Sequence, residues 1–187
     1  MWDGRDTDLA KTSFVGAISR FAPVAEPGPS SRLVVVLNGN GGEGPSPADV
    51  ATAARATPGW DWVHLDRAHG HWVADPWPLL CSATVVVSHA GQNALAEIAA
   101  ARRPAVVIPQ SRPFDEQHTM AAALTRLGWP PVAVRPAWPA ARDWPALLDR
   151  VAGLDGRQWT DWNDGQGASR AAQLLTSLVV DRLAVTA

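Results

Sequence analysis

Cysteine, lysine and tyrosine are the scarce residues of this chain, with one cysteine (Cys81), one lysine (Lys11) and no tyrosine in 187 positions. A lone cysteine excludes an internal disulfide and a cysteine-rich metal site. Cys81 sits in an apolar stretch and reads as packing. Arginine takes over from lysine, a bias of composition as much as of function. A strong charge of one sign is also lacking. The formal net charge of −2 gives no electrostatic argument for nucleic acid or for an anionic membrane surface. No apolar run reaches the roughly 20 residues that cross a bilayer, and the N-terminus lacks the basic-then-apolar pattern of a secretion signal. The expectation is a cytoplasmic protein with no membrane span. The five histidines show no zinc spacing, so no metal site is expected. Ser88 lacks the second flanking glycine of a nucleophile elbow.

What is present describes an α/β domain. Apolar residues make up 47% and charged residues 18% of the chain, ordinary values for a globular protein, and the length suits one substantial domain. Residues 1–30 begin polar and end in the Pro/Gly/Ser stretch Pro23 to Ser31, which reads as a linker into a domain spanning 31–187. Strands are expected at Leu33 to Leu37, Trp60 to Leu65, Ala83 to Val87, Ala105 to Ile108 and Val132 to Val134. Helices are expected from Ser46-Pro47 to Thr57, and at Asp75 to Cys81, Gln92 to Arg102, Asp115 to Leu127, Ala141 to Leu154 and Ala168 to Leu183. Such alternation implies a Rossmann-like, doubly wound parallel sheet with helices on both faces. Ten tryptophans are present, several in proline-rich loops (Trp77, Trp129, Trp138, Trp144). They mark either a partner surface or the capped edges of a sheet core.

Four stretches carry chemistry. The first is Asn38-Gly39-Asn40-Gly41-Gly42-Glu43-Gly44, after the first strand. Gly39, Gly41 and Gly44 fit a dinucleotide fingerprint, with Asp66 at the end of the next strand. Alternatively, Asn40 and its flanking N–H groups face a sugar-phosphate, or the glycines serve a tight turn. The second is Ser88 to Glu97, a strand end, a glycine turn and a helix start. There Gly91 permits close approach, and the N–H groups of Gln92, Asn93 and Ala94 converge on a diphosphate. Glu97, about two turns along, either offers a carboxylate to ribose hydroxyls or is a solvated helix glutamate. His89 is either a phosphate donor or a structural partner, and Gln92 and Asn93 are also reasonable cap residues. The third is Pro109 to Gln117, with Asp115 as an N-cap and Gln117 within reach of a sugar hydroxyl. The fourth is Val15 to Phe21, where Arg20 is a lone cation with a fork matched to phosphate or an ordinary surface arginine.

In this order the motifs resemble the C-terminal, donor-binding half of a two-domain GT-B glycosyltransferase of the family 28 type. The group in question contains the N-acetylglucosaminyltransferase of the peptidoglycan lipid precursor. The resemblance rests on Val86-Val87-Ser88-His89-Ala90-Gly91, Ala96-Glu97-Ile98-Ala99-Ala100-Ala101, Pro104, Ile108-Pro109 and Asp115-Glu116-Gln117, within Val15 to Val134. It implies that Gly91 to Ala96 hold a diphosphate, Glu97 the ribose and Gln117 the transferred sugar. Asn40 would lie at the cleft floor, Arg20 in the inter-domain segment, and Val73 and Ala74 on the loop whose backbone reads the uracil edge. Arg102-Arg103 departs from a usual glycine before Pro104, and Met120 replaces a frequent asparagine.

The resemblance implies transfer of a hexosyl group, such as N-acetylglucosaminyl, from a UDP-sugar to an acceptor hydroxyl. No cofactor is expected beyond that donor. The acceptor-binding N-terminal domain, expected to supply the general base, is not in these residues, so the chain alone is expected to bind nucleotide without turnover. That domain or a separate acceptor subunit is the expected partner, and it could place the protein peripherally at a membrane. The C-terminal helix would cross back toward that partner. The alternatives are the catalytic subunit of a split membrane-associated transferase, a UDP-sugar epimerase, and an NAD-dependent oxidoreductase or sensor built on the Gly39-Gly41-Gly44 loop.

Overall fold

The computed structural model of the chain describes residues 12–26, 28, 32–38 and 44–185. Gly39 to Glu43, and with them Asn40, lie outside the described residues, as does part of the Pro23 to Ser31 stretch.

Five parallel strands form one sheet in the order β2-β1-β3-β4-β5. They are β1 (Leu33–Leu37), β2 (Asp61–Leu65), β3 (Val85–Ser88), β4 (Ala105–Val107) and β5 (Val132–Val134). The central strands are continuous runs of valine and leucine because both faces are covered. Val34, Val36, Val85, Val87 and Val106 pack beneath α1 (Pro47–Ala56) and α5 (Trp144–Ala152). Val35, Leu37, Val86 and Val107 pack beneath α2 (Trp77–Ser82), α3 (Gln92–Ala100) and α4 (Glu116–Arg126). The register pairs Leu37 with both Leu65 and Ser88, and Ser88 with Val107, so the carboxyl ends of four strands lie along one edge. The doubly wound α/β class expected from the alternation is the class observed.

Local chemistry explains most boundaries. Ser46 caps α1 in a reciprocal box with Asp49, and Pro47 occupies the first turn, as its sequence signature requires. The helix expected from Asp75 starts instead at Trp77, and the Asp75 carboxylate accepts the Trp77 N–H at 3.0 Å. The helix expected to end at Arg102 stops at Ala100, because Arg102 adopts a left-handed φ of 54°. Arg102 thus fills the conformation usually given to glycine at a helix end. Its buried guanidinium donates to the Ala99 and Asn163 carbonyls, both at 2.9 Å. Gly156 packs against the Arg102 carbonyl with no room for a Cβ. Trp159 Nε1 donates to the Arg103 carbonyl at 2.7 Å, locking the 3-10 turn Gly156–Asp161 onto the end of α3.

The described tryptophans are buried or half-buried, packed at the margins of the core. Trp144 and Trp159 are fully buried, and no described tryptophan is among the exposed large apolar residues. Trp129, Trp159 and Trp162 contact one another edge-on or tilted, while Trp62 and Trp138 each contact Trp144. The exposed apolar surface lies elsewhere. Leu175, Leu178 and Val179 project from α6 (Gly167–Val185), while Phe14 and Ile18 project from the N-terminal segment. That segment, read as a linker, is tied to the domain by Ala17 N–H to the Trp162 carbonyl and Val24 N–H to the Ala100 carbonyl. Among the described residues, no helix is long and apolar enough to cross a membrane.

Candidate functional site

At the carboxyl edge of the sheet, α3 opens into a cleft of about 880 Å³. Sheet topology dictates the place, since the chain leaves β1 and β3 in opposite directions and the loops part there. Of the residues singled out in the sequence, Arg20, His89, Gly91, Gln92, Asn93, Ala94, Glu97 and Gln117 all line this cleft. Val73, Ala74 and Asp115 do not. Trp72 and Pro76, on either side of the first two, take their place.

The amide cradle is built as follows. Gly91 caps α3 with φ −75° and ψ 140° and offers no side chain to the first turn. The N–H groups of Gln92, Asn93 and Ala94 therefore lack helical carbonyls and present three donors at the positive end of the dipole. Gly91 itself is required by its neighbour. A Cβ there would sit 2.6 Å from His89 Nδ1, and the Gly91 N–H donates to that nitrogen at 3.0 Å. His89 is thus an acceptor through Nδ1. Burial and then the nearby Arg112 cation push its pKa below 6.5, which keeps the imidazole neutral and its remaining nitrogen a donor at neutral pH.

Glu97 lies two turns along α3. Its Oε1 accepts from Arg20 Nε at 2.8 Å, with the carboxylate 17% and the guanidinium 53% exposed. The second carboxylate oxygen and the outer guanidinium nitrogens remain for a ligand. Gln117 is nearly buried. Its Oε1 accepts the N–H groups of Ala90 at 3.2 Å and Gln110 at 3.0 Å. The glutamine therefore joins the β3 and β4 loops into one wall, leaving only its amide nitrogen for a ligand.

Asp115 departs from its sequence reading. It is left-handed at φ 53° and makes no cap bond; its carboxylate pairs with His118 Nδ1 at 2.8 Å instead. Its neighbours Phe114 and Glu116 line the cleft. Asp66, the acid wanted by the dinucleotide reading, is also spent. Its Oδ2 takes Asn38 Nδ2 at 2.9 Å and His69 Nδ1 at 2.6 Å, and its Oδ1 takes the Ala68 N–H at 2.8 Å. Burial would raise its pKa, but these hydrogen bonds outweigh it and hold the carboxyl at about 2. Gly44 is packed so that a Cβ would meet the Asn38 amide nitrogen at 2.7 Å, a packing demand that accounts for the glycine. Among the described residues, no group of three or more His, Cys, Asp or Glu side chains could hold a metal ion.

The sequence reading missed Arg67, Trp72, Arg112, Phe114 and Glu116 in the cleft wall. Arg67 lies over the Trp72 ring at 4.8 Å. Nothing local distinguishes them from ordinary loop residues; the only signals are that Trp72 adjoins Val73 and that Arg112, Phe114 and Glu116 fall within the Pro109 to Gln117 stretch.

Comparison with known proteins points the same way. Residues 77–129, from α2 past the end of α4, match the model of the glycosyltransferase family 28 C-terminal domain. The fold matches the crystal structure of the glycotransferase of kitacinnamycin, with a TM-score of 0.62 at 18% identity over 88% of this chain. This chain spans about half of that protein, 47% of its length. No curated protein sequence matches it. The segment that matches the family model contains the amide cradle, Glu97 and Gln117, and together the match and the shared fold support a GT-B glycosyltransferase C-terminal domain.

Proposed function

We propose that this chain is the donor-binding half of a glycosyltransferase and that the donor is a UDP-sugar such as UDP-N-acetylglucosamine. The observation that carries the reading is the juxtaposition of three unpartnered amides on α3 with the Glu97–Arg20 pair two turns away in one cleft. The diphosphate would rest on the amides, and the ribose hydroxyls would donate to Glu97. In the reaction, the acceptor oxygen bonds to the anomeric carbon as that carbon's bond to the diphosphate oxygen breaks. The proton passes to a base on the acceptor-binding half, and UDP departs. Fixed amides and Arg20 would stabilise the charge that builds on the leaving diphosphate, and such preorganised donors are worth most in a dry site. The other half would dock on the apolar face of α6 and the neighbouring Phe14 and Ile18, all exposed here.

The dinucleotide reading finds less support, since the acid it needs is saturated by Asn38 and by its own loop. Calorimetry tests the proposal. The chain should bind UDP, and Glu97→Ala should weaken that binding by about tenfold or more, the worth of a charge-assisted hydrogen bond. No heat with UDP, or unchanged affinity in the variant, would refute it.

A further inference from the structure

Phe114 combines two properties that an ordinary surface loop does not need. Its ring is wholly exposed, at 101% of the reference area, and its backbone is left-handed at φ 64°. That conformation costs an L-residue on the order of 1 kcal/mol. The following residue, Asp115, is left-handed too. Neither core burial of the ring nor a side-chain cap on α4 compensates. What the turn achieves is placement, because Phe114 lines the mouth of the cleft.

The cleft has two distinguishable ends. Phe21 stacks on Trp77 of α2 at 4.5 Å, so its neighbour Arg20, and Glu97 with it, mark the α2 end. The α3 amides stand in the middle. Gln117, bonded to the Ala90 N–H, marks the α4 end together with Phe114 and Met120. With the ribose on Glu97 and the diphosphate on the amides, as proposed above, the group attached beyond the second phosphate falls at the α4 end.

We propose that Phe114 is a stacking platform for the transferred sugar. Its exposed ring covers the C–H face of the donor hexose, and the strained turn holds the ring in place before the donor arrives. A hexose presents one face of C–H bonds whose positive edges suit the negative face of an aromatic ring. The inference rests on the donor-site reading and extends it to the sugar.

The test is calorimetry of the chain with UDP and with UDP-N-acetylglucosamine. Phe114→Gly removes the ring while keeping the positive φ at no steric cost, and Phe114→Trp restores an aromatic face. Phe114→Gly should leave UDP affinity unchanged and weaken UDP-N-acetylglucosamine about fivefold, the middle of the range for an aromatic contact. Phe114→Trp should return it to the wild-type value. Equal weakening of both ligands, or of neither, would overturn the platform while leaving the donor site standing. Failure of the wild-type chain to bind UDP would remove the donor site and this inference together.

Discussion

A glycine beside a histidine ring and a carboxylate with three donors set the chemistry of this domain residue by residue. Gly91 has ordinary φ, so its constraint is volume: the His89 imidazole occupies the place of a Cβ. Gly91→Ala should push that ring aside and break the bond from Gly91 N–H to Nδ1. The expected cost is about 1–3 kcal/mol, with a parallel loss of UDP affinity by calorimetry. The histidines also set a pH window. His89 and His64 both have pKa values lowered by burial, against Asp66 in the second case. The unfolded chain therefore binds more protons than the folded one just below 6.5, and stability falls as the pH drops through that range. Asp66 acts at lower pH with the same sign of proton linkage. Its carboxyl is held at about 2, so its contribution is complete above the usual carboxylate range and is lost as pH falls toward 2. Denaturant melts at several pH values should therefore show two separate declines. Asp66→Asn should shrink the lower one and cost on the order of 2 kcal/mol at neutral pH.

Individual helices divide into those that bury their apolar residues in the domain and those that leave them exposed. α5 inserts Trp144, Leu147, Leu148 and Val151 into the core, and Leu148→Ala should cost about 2–5 kcal/mol. α6 is the reverse. Leu175 and Leu178 face solvent, so the double change to glutamate should move the melting temperature hardly at all, within about 0.5 kcal/mol per site. The same change should prevent docking of an acceptor-binding half added in trans, measured by light scattering. In α3, Leu95, Ile98 and Ala99 are buried, while its first turn and Glu97 face the cleft.

The whole molecule assembles the wall of the cleft. Arg20 and Glu97 are 77 positions apart in sequence, and Ala90 and Gln117 are 27 apart; only the closed sheet brings either pair together. A ligand spanning these elements should stabilise all of them, by about 2.7 kcal/mol at a hundredfold excess of UDP over its dissociation constant. This is readable as a rise in melting temperature. In a coupled UDP-release assay the chain by itself should show no turnover above background, and robust turnover would place the base within these residues.

Periodicity and punctuation in the sequence alone determined the layers of this protein. The valine runs could only be strands covered on both faces, Ser46-Pro47-Ala48-Asp49 could hardly be other than a helix start, and the Ser88 to Glu97 pattern located the cradle. Those are local properties, fixed by side-chain branching, capping and φ preference. The tertiary structure decided the rest. It buried Trp144 and Trp159, saturated Asp66 with the distant Asn38 and its own loop, moved Gln117 into a joint between loops and turned Phe114 outward on a strained backbone. Each of these outcomes depends on which distant groups compete for the same space or the same hydrogen bond, and that competition has no signature within a stretch of neighbouring residues.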